Sequence, residues 1–146
     1  INDNPDYKFE LGKGVTLKDG SDVTIIASGI MVSIALEAAE LLASDGISAR
    51  VVNIHTIKPI DRDIIVKAAR ETGAIVTAEE HNIIGALGSA VAEVLVEECP
   101  VPMMRVGVED KFGKSGAVKP LLEEYGLTKE NIADKAKAAI SHKQKG

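Results

Sequence analysis

Aromatic side chains are nearly missing from this chain, with two Tyr, two Phe and no Trp in 146 residues. A core of ordinary density must then be filled by Ile, Val, Leu and Ala, a mixture suited to strands buried on both faces. Cysteine is reduced to Cys99, which excludes an internal disulfide. Its position at the end of an apolar helical pattern, beside Pro100, fits a reducing compartment and a packing role. His55, His81 and His142 are scattered, so no metal-ligand spacing exists and no structural zinc is expected. No apolar run approaches the about 18 residues that cross a bilayer, and no basic, apolar leader opens the chain. The expectation is a cytoplasmic protein with no membrane partner. Positive charge is short as well: 17 Lys and Arg against 22 Asp and Glu leave a formal −5, which argues against nucleic acid as a partner.

What is present has the size and balance of one globular domain, 45% hydrophobic and 27% charged. Ile1 in place of Met points to a processed chain or an excised piece of a longer one. Residues 1–13 are polar, carry Pro5 and no sustained period, and read as an arm or linker, with 14–146 as the domain. Gly14 to Lys18 reads as a weak strand and Val23 to Ala27 as a stronger one, and the intervening Asp19-Gly20 reads locally as a hairpin turn. Met31, Ile34, Ala35, Ala38, Leu41 and Leu42 then fall on one helical face that closes at Asp45-Gly46. A strand from Ala49 to Ile54 leads to a loop, His55 to Pro59, and to a helix that Asp61 caps and Thr72-Gly73 ends. After a further strand and helix come a last strand, Pro102 to Val108, a loop over Lys111 to Gly116, and helices at about Val118 to Tyr125 and Thr128 to Ile140. Strands alternating with helices are the grammar of a right-handed, mostly parallel α/β sheet covered on both faces.

The stretch that organises the rest runs from Ala74 to Leu95. It begins as an apolar strand, turns polar at Glu79-Glu80-His81-Asn82, and resumes after Gly85 with Leu87, Ala90, Val91, Val94 and Leu95 at helical spacing. A helix opening there aims free amides and the positive end of its dipole at the loop. Gly85 and Gly88 would let an anion reach those amides while His81 donates to it. Against this, Glu79 and Glu80 would face the anion, and each like-charge pair at ~4 Å costs about 4 kcal/mol at an effective dielectric of about 20. The other reading is structural: the glycines permit close helix-to-strand packing, and the carboxylates accept N–H bonds from neighbouring loops or fix an interface. The segment Lys111-Phe-Gly-Lys-Ser-Gly116 lacks the gap of a phosphate-binding P-loop.

Glu79-Glu80-His81 followed by Gly85-Ala-Leu-Gly88-Ser89-Ala90-Val91 resembles the signature of the C-terminal domain of transketolase-type thiamine-diphosphate enzymes. Asp22 to Gly29, Ala35 to Ala39, Lys58-Pro59-Ile60-Asp61, Gly107 to Gly113 and Gly126-Leu127-Thr128 extend the likeness from about Tyr7 to Ile140. The resemblance implies a three-layer α/β/α domain with a five-stranded mixed sheet in the order 1-3-2-4-5 and the first strand antiparallel. That order contradicts the local hairpin and is preferred to it. It also places a switch point between the second and fourth strands, so the candidate cleft, for an anion or an interface, gathers Ser28, Gly29, Glu79, Glu80, His81, Gly85 and Gly88.

In the complete enzymes of this family, thiamine diphosphate and Mg or Ca are held by a diphosphate-binding domain and activated from a pyrimidine-binding domain. Neither domain's motifs occur here, so the resemblance implies a chain without catalytic residues or cofactor of its own. Its partners would be those two domains, and a second copy in a homodimer. The complete protein would move a two-carbon ketol unit between sugar phosphates, with deoxyxylulose-phosphate synthase and the beta subunit of 2-oxo-acid dehydrogenases as rivals inside the family. Assembly predicts an exposed apolar patch on the lone domain. From another class, the chain reads as a stand-alone module that binds a nucleotide or sugar phosphate in the cleft.

Overall fold

A computed structural model describes residues 13–55, 60–82, 87–108 and 127–143. The apolar runs Val23–Ala27 (β2), Ala49–Asn53 (β3), Ile75–Asn82 (β4) and Met103–Val108 (β5) form parallel strands, and Val15–Lys18 (β1) lies antiparallel on one edge. The order β1-β3-β2-β4-β5 is the one the resemblance implies. Helices Met31–Ser44 (α1), Arg62–Thr72 (α2), Leu87–Glu98 (α3) and Lys129–Lys143 (α4) flank the sheet.

Successive residues of β2 face opposite cores, which is why the strand is apolar at nearly every position. Ile25 joins α1 and α4 on one face, whereas Ile26 joins α2 and α3 on the other. Alanines 35, 38 and 39 of α1 and 133, 136 and 139 of α4 belong to the first core, and such small side chains let helices lie close to a sheet and to each other. Met103 and Met104 fill gaps on opposite faces, and Cys99 packs on the second core.

The local hairpin is not what forms. β1 pairs with β3, Val15 opposite Asn53 and Thr16 opposite Val52, with a bulge before Lys18. A central strand buried on both faces takes parallel neighbours through right-handed crossovers, which puts β3 beside β2 and leaves β1 outside. Gly20 records the crossing, since a Cβ there would stand 2.3 Å from the carbonyl carbon of Ala49. A second departure concerns Glu79 to Asn82, read as loop but continuing β4. There β5 supplies a partner, Val108 opposite Asn82, after an irregularity beyond Ala78.

Helix ends follow the sequence signals. Asp61 accepts from the amide of Ile64 at 3.2 Å and from that of Gly14 at 2.9 Å, Thr128 Oγ1 accepts from Asn131 at 3.1 Å, and Gly73 closes α2 at φ 74°. Arg62 joins α2 to α3 through Glu97 and Glu98, both at 2.6 Å, and hydrogen bonding to Glu97 and then Glu98 raises its guanidinium above the ordinary range.

At the amino end of the sheet, the Asp22 amide donates to Ser48 O at 2.8 Å and the Ser48 amide to Asp22 Oδ2 at 2.7 Å. Lys143 Nζ donates to the carbonyls of Asp22 and Thr72 at 2.7 and 2.6 Å. The buried hydroxyls of Thr24 and Thr72 meet at 2.8 Å. The arm at 1–12, Thr56 to Pro59 with Lys58, the loop Lys111 to Gly116 and the helix read at Val118 to Tyr125 lie outside the described residues.

Candidate functional site

β2 and β4 are neighbours at the centre of the sheet, and the helices that follow them leave to opposite faces: α1 packs in the first core, α3 in the second. The candidate cleft is at their carboxyl ends. The Ser28 amide donates to Ala78 O at 3.3 Å, which brings the exit of β2 against the last regular position of β4. Gly29 takes φ 60°, a conformation that suits glycine at so sharp a strand-to-helix turn.

Glu79 points from β4 to the α3 face and is buried, 1% exposed. Its carboxylate accepts two amides of the first turn of α3, Oε1 from Leu87 at 2.9 Å and Oε2 from Gly88 at 2.7 Å. A buried carboxylate needs such partners, and a helix start offers them with a favourable dipole. The same two amides are therefore engaged by a fixed internal anion. Any external phosphate at this helix start would have to displace Glu79.

Gly88 serves packing. A Cβ on it would lie 2.7 Å from Cδ of Arg105 and 3.2 Å from Oγ1 of Thr77. The stem of Arg105, on β5, thus crosses the first turn of α3. Arg105 is exposed, as its place in an alternating strand suggests, but its seat against Gly88 has no signature in the sequence. Ser28 and Gly29 start the helix on one face while Glu79 and Gly88 bind each other on the opposite face. The side chains of Glu80 and His81, and Gly85 as a whole, lie outside the described residues.

The start of α1 differs. No side chain caps it. The amides of Met31 and Val32 reach only the carbonyls of Ser28 and Gly29, both at 3.2 Å, and Ile30 is 43% exposed. Among the described residues no three His, Cys, Asp or Glu gather as a metal site. With the α3 amides taken by Glu79, the described residues do not fit a diphosphate and its metal.

The described elements thus form an α/β domain with four parallel strands, an antiparallel edge and a carboxylate-locked helix beside the switch point. The chain belongs to the family described as transketolase, C-terminal domain, whose model matches residues 12–132. It is 50% identical over 141 residues to a 6-deoxy-6-sulfo-D-fructose transketolase subunit of Clostridium, covering 97% of this chain and 44% of that one. It is 50% identical over 124 residues to 1-deoxy-D-xylulose-5-phosphate synthase of Heliobacterium modesticaldum, covering 84% of this chain and 19% of that one. A solved structure titled split gene transketolase, inactive beta4 tetramer, superposes with a TM-score of 0.89 at 55% identity, covering 94% of this chain and 45% of that one. The chain thus spans less than half the length of each of these proteins.

Proposed function

We propose that these residues are the assembly domain of a thiamine-diphosphate enzyme that transfers a two-carbon ketol unit between sugar phosphates in the cytoplasm. The pyrimidine-binding and diphosphate-binding domains hold the cofactor and its Mg or Ca, and the present domain packs against them and helps form a homodimer. The carrying observation is Glu79: the constellation that looks most like an anion site spends its donors on an internal carboxylate. What this achieves is a rigid start to α3 tied back to the β4 segment Glu79 to Asn82, a fixed platform from which that segment can meet another domain. The described surface has apolar side chains that a partner could cover. Its exposed large apolar side chains are Leu17 on β1, Ile30 at the start of α1 and Val96 on α3, three separate elements. Docking would use these side chains, the partly exposed Val32 and Ile34 beside Ile30, and polar contacts around them.

The test is reconstitution. The natural polypeptide carrying these residues, with its partner subunit where the gene is split, should transfer a ketol unit from a ketose-phosphate donor to an aldose-phosphate acceptor when thiamine diphosphate and Mg are added. The 146-residue chain alone should not. Consumption of a 2-oxo acid instead, with no ketol transfer, would move the protein to the synthase or dehydrogenase branch. Activity of the isolated chain would defeat the proposal.

A further inference from the structure

The amino end of the sheet contains a buried charged group outside the candidate cleft. Arg50, the second residue of β3, lies on the α2 face with its side chain 9% exposed, and its Nε is enclosed without a hydrogen-bond partner. Both ion pairs of Arg50 run through Nη2, to Asp19 at 3.1 Å and to Glu71 at 2.7 Å. The two carboxylates are held unequally. Asp19 is 86% exposed and Glu71 46% exposed, so Asp19 is the one that solvent can take back.

Arg50 lines a hollow of about 420 Å³ between the edge strand β1 and α2, together with Thr16, Lys18, Ile64 and Lys67. That volume is within the about 300–1,000 Å³ of small-molecule sites. Three cations, Lys18, Arg50 and Lys67, face two carboxylates, Asp19 and Glu71, a local excess of positive charge in a chain whose formal charge is −5. Arg offers a planar fork that matches a carboxylate or phosphate at two points. Here one arm of the fork, Nε, is unused.

We propose that this hollow binds the oxyanion end of a small molecule, a phosphate monoester or a carboxylate, with Arg50 and Lys67 as its cations and Asp19 as the group displaced. An entering anion replaces the solvent-exposed carboxylate of Asp19, whose pairing is weakened by water, and gains contact with both the buried guanidinium and an ammonium. The site is at the opposite end of the strands from Glu79 and does not depend on the proposed enzymatic activity.

Calorimetric titration of the natural polypeptide with inorganic phosphate, glycerol 2-phosphate and malonate, each at constant ionic strength, tests this. Saturable binding of at least one probe is expected, weakened about tenfold by Lys67→Ala, which removes a charge-assisted contact, and tightened about threefold by Asp19→Asn, which removes the competing charge. Asp19→Asn keeps an oxygen for the Gly20 amide that Asp19 Oδ1 accepts at 2.9 Å, and thermal unfolding shows that both variants are folded. Phosphate or its monoester binding more tightly than malonate assigns a phosphate ligand, and the reverse assigns a carboxylate. Absence of saturable binding by all three probes, or binding indifferent to both variants, overturns the proposal.

Discussion

The two ends of the sheet are secured in different ways. At the amino end, contacts join residues far apart in sequence: Asp22 with Ser48, 26 residues on, and Lys143 with Thr72 and Asp22, 71 and 121 residues away. Gly20 lies so close over Ala49 and Arg50 that backbone touches backbone. At the carboxyl end the decisive contact is nearly local, Glu79 with amides eight and nine residues on, and the neighbouring helix start has no side-chain cap. The amino end is thus closed by the whole fold, whereas at the carboxyl end α3 is locked by a nearby carboxylate, α1 is left to its own backbone, and the start of α2 draws in a distant residue through Asp61 and Gly14.

The harshest way to break this comparison is Gly20→Ala. The added carbon would meet backbone atoms of Ala49 and Arg50 at 2.3 to 2.6 Å, which no rotamer relieves. Destabilisation of about 3 kcal/mol or more is expected in urea unfolding. A loss below 1 kcal/mol, on the order of a surface change, would show that this end is looser than drawn.

Next in size is Glu79→Ala, which strands two buried amides and should remove about 3 kcal/mol, with Glu79→Gln losing roughly half as much because its carbonyl oxygen can still accept one bond. Hydrogen exchange at Leu87 and Gly88 should accelerate in both variants, and protection unchanged from the parent would refute the lock. Ile30→Ala sharpens the contrast at the low end: Ile30 is the N-cap residue of α1, 43% exposed, and neither Ile nor Ala offers a capping group, so stability should change by less than about 1 kcal/mol. A drop comparable to that of Glu79→Ala would mean that the α1 start is as firmly held as that of α3.

Much of the architecture was readable because its causes are local or periodic. Ile25 and Ile26 in a run with no polar alternation announce a strand buried on both faces, and Asp61, Thr128 and Gly73 mark helix boundaries by short-range chemistry. Strand pairing was not readable that way. Asp19-Gly20 looks like a hairpin turn, and only the insertion of β3, a long-range event, decides otherwise. The site divides along the same line. Spacing drew Glu79 and Gly88 to one neighbourhood, yet capping rules cover a spacing of about three residues and say nothing about a carboxylate that reaches across a loop. Arg105 over Gly88 and Arg50 between Asp19 and Glu71 are tertiary contacts of exposed or solitary charges, for which a linear sequence has no period to show.

Lys143 has a consequence for how the protein is made. Its ammonium bridges the carbonyls of Asp22 and Thr72, so the clamp must wait for 121 residues of translation after Asp22, on the order of ten seconds at ordinary rates of synthesis. The alanines of α4 that complete the first core arrive in the same late segment. For that interval the part of the first core that α4 covers stays bare beside α1, and a chaperone that shields such surfaces has its opportunity there.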